Sequence, residues 1–190
     1  MNRVCRSLIL GIGLSGIAGC GLWSAPDARE PQALVEFAAE KQLVRQWSMD
    51  IGSGFGDLYQ QSRPAVTETG IYIADASGQV SSIALESGKL NWRTDLDAKL
   101  SASAGAGFGV VAVTLMSGEL VALSAEAGLE LWRVQLPSEV LAQPQINSSQ
   151  VVVQTISGQV IALSRQSGDQ LWVYDAQEPA LTLRGTGTPL

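Results

Sequence analysis

An all-β propeller of four-stranded blades is the fold this sequence predicts, on three regularities. The segments "SGQVSSIALESGKLNW" (77–92), "SGELVALSAEAGLELW" (117–132) and "SGQVIALSRQSGDQLW" (157–172) follow one another at a period of 40 residues without a gap. Each is preceded by a β-rich run, "GIYIADA" from Gly70, "VVAVTL" from Val110 and "VVVQTI" from Val151, so every unit resolves into four short strands. Each unit also ends on a tryptophan: Trp92, Trp132 or Trp172. Four strands repeated at about 40 residues are the signature of propeller blades.

The elements follow in order. In the third unit, strands are expected over 144–147, 151–156, 159–164 and 170–174. Gly78, Gly118 and Gly158 supply tight hairpins before the third strand, since glycine takes positive φ without steric cost. Gly88, Gly128 and Gly168 do the same before the fourth. Runs such as Val151, Val152 and Val153 are apolar without alternation, which suits a sheet covered on both faces. The tryptophans read as wedges buried between neighbouring sheets. Trp47, in "LVRQWSMDIGSG", has the same context as those tryptophans and predicts a fourth strand that comes first in the chain, as a ring-closing strand does. Three complete units and the start of another end at "TLRGTGTPL". The expected ring is therefore open, and the chain reads as the N-terminal half of a longer protein.

Composition narrows the chemistry. An apolar fraction of 46% with 16% charged residues is that of a globular chain. Carboxylates outnumber Lys and Arg by 18 to 12, which disfavours nucleic acid as a partner, because that grip depends on neutralising phosphates. With no histidine, the commonest general base and the commonest metal ligand are absent.

Residues 1–19 combine Arg3 and Arg6 with an apolar run over 8–17, too short to cross a bilayer as a helix, and read as a signal peptide. Ile17, Ala18, Gly19 and Cys20 resemble the bacterial lipobox, which implies cleavage before Cys20 and lipidation (palmitate among the acyl groups) of that residue. Its thiol would then be acylated, leaving no cysteine pair for a disulfide. Gly21 and Leu22 follow in place of the aspartate that favours inner-membrane retention, so the expected destination is the outer membrane. Residues 20–46 read as a lipidated tether with a short helix expected over 33–43, and 47–190 as the blades. Gly11, Gly13 and Gly16 match a dinucleotide-binding spacing, but no strand precedes them.

The pattern G-x-V-x-A-L-x-x-x-S-G-x-x-x-W resembles the pyrroloquinoline-quinone (PQQ) type of repeat. Together with the lipobox, "GSGFG" before an aromatic and a proline, and "LTLRG", it resembles the BamB family, lipoproteins of the outer-membrane β-barrel assembly machinery, over the whole chain. That resemblance implies an eight-bladed propeller on the periplasmic face of the outer membrane, without enzymatic activity or cofactor. It also implies docking on the barrel-forming subunit BamA, and unfolded outer-membrane proteins as clients. It assigns the BamA contact to Leu181, Leu183 and Arg184.

The residues themselves allow two readings of that contact. Arginine beside desolvated apolar neighbours suits an interface, but both leucines also fit the innermost strand of a next blade. The alternative to a scaffold is a PQQ-dependent dehydrogenase-like propeller or a ligand-sensing one. The dehydrogenases need a bound cation and a catalytic carboxylate, often with adjacent cysteines, and neither a cysteine pair nor a convincing cation site is evident. "GSGFG" (52–56) is read as a turn rather than a phosphate cradle, and Asp95 with Asp97 as a solvated strand end.

Overall fold

The computed structural model describes residues 41, 43–54 and 63–175. The chain divides into two compact units, Met1–Leu43 and Val44–Leu190. Of the first, only residues 41 and 43 are described, so the short helix expected over 33–43 lies outside the described residues apart from these two. The strands belong to the second unit.

Among the described residues twelve strands form three four-stranded antiparallel meanders. The first blade contains β1 (Ala65–Val66), β2 (Ile71–Ala74), β3 (Gln79–Ile83) and β4 (Leu90–Asp95). The second contains β5 (Gly105–Gly107), β6 (Val110–Thr114), β7 (Glu119–Ser124) and β8 (Glu130–Gln135). The third contains β9 (Gln145–Ile146), β10 (Gln150–Gln154), β11 (Gln159–Ser164) and β12 (Gln170–Asp175). In each sheet the strands lie side by side in chain order. The short first strands are neighbours, β1 beside β5 and β5 beside β9, as the innermost strands of successive blades must be. Gly105 sits there because a Cβ would collide with the Pro144 carbonyl of the next blade. The propeller fold is thus realised, and the third-unit strands fall where the sequence placed them, to within a residue or two at each end.

Turn chemistry explains the hairpins. Gly78, Gly118 and Gly158 have φ of 109°, 85° and 82°, a region costly for any residue with a Cβ. Their N–H groups close the turns by donating to the carbonyls of Asp75, Leu115 and Thr155. Between third and fourth strands the register slips at one equivalent point in every blade, between Ser82 and Ile83, Ala122 and Leu123, and Ala162 and Leu163. The residue just before each slip is small and pairs with the tryptophan of the outer strand.

Burial depends on what lies on either side of a sheet. In β6 every residue is buried: Val111 and Val113 pack toward the first blade, Val110 and Ala112 toward the third. β7 divides in the same way, with Val121 and Leu123 on one side and Leu120 and Ala122 on the other. In β2 and β10 burial alternates instead. Within the continuous apolar run of Val151, Val152 and Val153, Val152 is only half-buried and lies on the opposite face from Val151 and Val153. Among the described residues a second sheet covers just one face of that blade.

The tryptophans join one blade to the next by a repeated contact. Trp92 lies against Gly128, where a Cβ would come within 2.5 Å of the indole, and its Nε1–H donates to the Ala125 carbonyl at 2.9 Å. Trp132 lies against Gly168 and donates to the Arg165 carbonyl at 2.9 Å. Trp47 lies against Gly88 and donates to the Leu85 carbonyl at 3.0 Å. The Trp47 segment is not a strand, contrary to expectation, since no described strand flanks it for pairing, yet its indole makes the full contact. Exposure follows the seat: Trp132 is 8% exposed and Trp172 is 41% exposed. In the 190-residue chain, Trp132→Ala should therefore cost about 3–5 kcal/mol of unfolding free energy, and Trp172→Ala, whose indole is half-exposed in this chain, no more than about 1.5 kcal/mol. Urea titrations of the two variants measure the difference.

Candidate functional site

The residues the sequence singles out for anchoring and docking, Cys20 and Leu181, Leu183 and Arg184, lie outside the described residues. Their forty-residue counterparts belong to the linkers that run from an outermost strand to the next innermost one. In the first linker Ser101 is buried, and its hydroxyl donates to the Val140 carbonyl of the following linker at 2.7 Å. In the second, Leu141 and Gln143 are half-buried, and Gln143 donates to the Ala104 carbonyl. These linkers lie at the Ser-Gly hairpin end of the blades, where the Met116 and Ile156 N–H groups donate to the Lys99 and Glu139 carbonyls.

At that end the first blade holds a carboxylate absent from the equivalent positions of the others. Asp75 is 4% exposed, while its counterparts are Leu115 and Thr155. Its Oδ1 accepts from Ser77 Oγ, Ser77 N–H and Gln79 N–H, and its Oδ2 from Ser53 N–H and Ser53 Oγ. Gly52 and Gly54 take φ of 64° and 70°, and a Cβ on Gly52 would press on Asp75. The described part of "GSGFG" is thus a turn whose Ser53 N–H is aimed at an internal carboxylate, which uses the donor that a phosphate cradle would need. At the acidic pair of Asp95 and Asp97, Asp95 accepts from the Asp97 N–H at 3.0 Å. Among the described residues no group of three or more His, Cys, Asp or Glu could hold a metal ion.

Burial alone raises the Asp75 pKa, but hydrogen bonds from the Ser77 hydroxyl and from the Ser53, Gln79 and Ser77 N–H groups outweigh it and hold the carboxyl below its ordinary 3.8. A carboxyl depressed by folding stabilises the fold above its unfolded-state pKa and loses that contribution as pH falls through the folded value. Asp75→Asn should cost about 1–3 kcal/mol at neutral pH, since an amide cannot accept the whole donor set. The gap between wild type and variant should narrow as pH drops below about 3.8, the ordinary value. Urea midpoints at neutral pH and near pH 3 measure it.

The opposite end of the blades carries a cleft of about 370 Å³ between the first two blades, lined by the β1–β2 turn (Thr67, Glu68, Thr69), Tyr72, the β5–β6 turn (Gly107, Phe108, Gly109) and Ala125. Tyr72 is buried, with its ring 6.1 Å from that of Trp92, and its hydroxyl donates to the Ala125 carbonyl at 3.4 Å. Phe108 is 61% exposed at φ of 49°, a backbone setting that phenylalanine rarely takes. Arg165 of the third blade fixes that turn: Nη1 donates to the Phe108 carbonyl at 2.7 Å and Nε to the Ser148 carbonyl at 3.1 Å. Sequence reasoning missed Asp75, Phe108 and Arg165. The available signals were a carboxylate replacing Leu and Thr at one repeat position, and Phe-Gly in a two-residue hairpin that favours Asn-Gly.

Comparison with known proteins decides the family. A family profile described as "Outer membrane protein assembly factor BamB" matches residues 76–190, more than half of the chain. The chain belongs to the BamB family. Its BamB relative from Pseudomonas aeruginosa is 41% identical over 97 residues, covering 51% of this chain and 25% of the relative. The chain thus spans about a quarter of the curated relative's length. The crystal structure of BamB from Moraxella catarrhalis superposes with a TM-score of 0.61 at 31% identity, over 70% of this chain and 39% of that one. A quinohemoprotein alcohol dehydrogenase from Pseudomonas putida, at 18% identity and a TM-score of 0.52 over 60% of this chain and 20% of its own, shares the propeller fold alone.

Proposed function

We propose that this chain forms part of a non-enzymatic scaffold for outer-membrane protein assembly. The observation that carries the reading is membership of the BamB family over residues 76–190. In this reading residues 1–19 are removed, Cys20 is acylated, and 20–46 tether the blades of 47–190 at the periplasmic face of the outer membrane. Leu181, Leu183 and Arg184 then dock on BamA, arginine supplying directed hydrogen bonds within an apolar contact. Unfolded β-barrel proteins are the clients.

Strand addition is a physical route for client handling. The outer strands β4, β8 and β12 are edges of their sheets. A client strand could pair with such an edge through main-chain hydrogen bonds, which tolerate many sequences. Proline substitutions on β8 and β12 should reduce crosslinking to an unfolded barrel protein, and unchanged crosslinking counts against this route.

Docking and anchoring have separate tests. Leu183→Ala combined with Arg184→Ala in the full-length protein should abolish co-purification with BamA while leaving its circular dichroism unchanged. Undiminished recovery of BamA removes the assignment. Cys20→Ala should move the protein from the membrane to the soluble fraction while preserving direct binding to BamA.

A further inference from the structure

We infer that the cleft between the first two blades is a binding site for a basic side chain, lysine or arginine, of a partner polypeptide. The inference is independent of the docking residues, and the cleft lies at the opposite end of the blades from the Ser-Gly hairpins.

Proton bookkeeping in the cleft wall carries it. Tyr72 donates its hydroxyl proton to the Ala125 carbonyl. At the Thr69–Tyr72 contact of 3.3 Å the threonine must therefore be the donor. Thr67, 3.0 Å from Thr69, then donates either to Thr69 or to the Gly70 carbonyl at 3.3 Å. All three hydroxyl protons are thus spent inside the wall. The Trp92 indole N–H is spent on the same Ala125 carbonyl. The lining side chains consequently offer a visitor lone pairs, the Glu68 carboxylate and the ring of Phe108. A ligand that matches must bring donors and positive charge. Arg165, which holds the Phe108 turn, is committed to the carbonyls of Phe108 and Ser148.

Phe108 completes the case. A large aromatic side chain with positive φ, mostly exposed, is costly in both backbone and solvation, and an arginine from another blade holds it in place. A ring presented in this way beside a carboxylate suits an ammonium or guanidinium group, which the ring face attracts. The cleft volume of about 370 Å³ is that of a small site, enough for one long side chain entering from an extended chain.

The test titrates the ¹⁵N-labelled full-length protein with acetyl-Gly-Lys-Gly-amide and, separately, with its norleucine analogue, which keeps the aliphatic chain and lacks the charge. The lysine peptide should shift the amides of Thr69, Gly109 and Ala125 and the indole of Trp92, and added salt should weaken it. Glu68→Gln should raise its dissociation constant by at least about threefold. Phe108→Asn should raise it similarly while increasing the melting temperature, because asparagine tolerates that turn conformation. A gain in stability with a loss of binding separates recognition from a purely structural role. Equal shifts from the norleucine peptide, or an unchanged dissociation constant in either variant, overturn the proposal.

Discussion

The contact between an indole on one blade and a glycine with a nearby carbonyl on the next governs this fold. A sheet of four short strands cannot bury both of its own faces, so each blade depends on its neighbour. Apolar burial between blades is non-directional and does not by itself define how one sheet sits on another. The indole N–H supplies direction, and the missing Cβ of Gly88, Gly128 or Gly168 sets the distance of approach. The hairpin geometry at those glycines belongs to the same constraint, because positive φ and close approach both require a residue without a side chain.

That dependence explains which parts of the repeat tolerate change. The carbonyls that receive the indoles belong to Leu85, Ala125 and Arg165, three unrelated side chains at one repeat position. Only the backbone is required there. The side chain is free to take another task, and Arg165 uses it to hold two turns. Asp75 arose in a similar setting. Its position needs a turn, which Leu115 also serves with backbone bonds alone, and in the first blade the carboxylate additionally gathers Ser53.

The fold was legible because it is periodic. Strand order, both sets of turns and the wedge role of Trp92 and Trp132 all follow from residues that recur every forty positions. The same logic failed at Trp47, where the contact recurs without its strand. Cleft and carboxylate hub were not legible for a related reason. They are made by residues that differ between units, Glu68 and Phe108 at one repeat position and Asp75 at another, brought together across blades that a linear reading keeps apart. Periodicity reports what the units share, and recognition resides in what they do not.

The indole contact also has a direction in time. Trp47, Trp92 and Trp132 each reach forward along the chain, to a seat made 38, 33 and 33 residues later. During synthesis or translocation from the N-terminus, each indole is present before its seat exists. Every newly completed hairpin therefore meets a docking group that is already waiting, and the contacts that must form are short in sequence separation, which favours rapid closure. Blades joined in this way add one after another like teeth of a zipper, and the growing end is always the one that carries an unseated tryptophan.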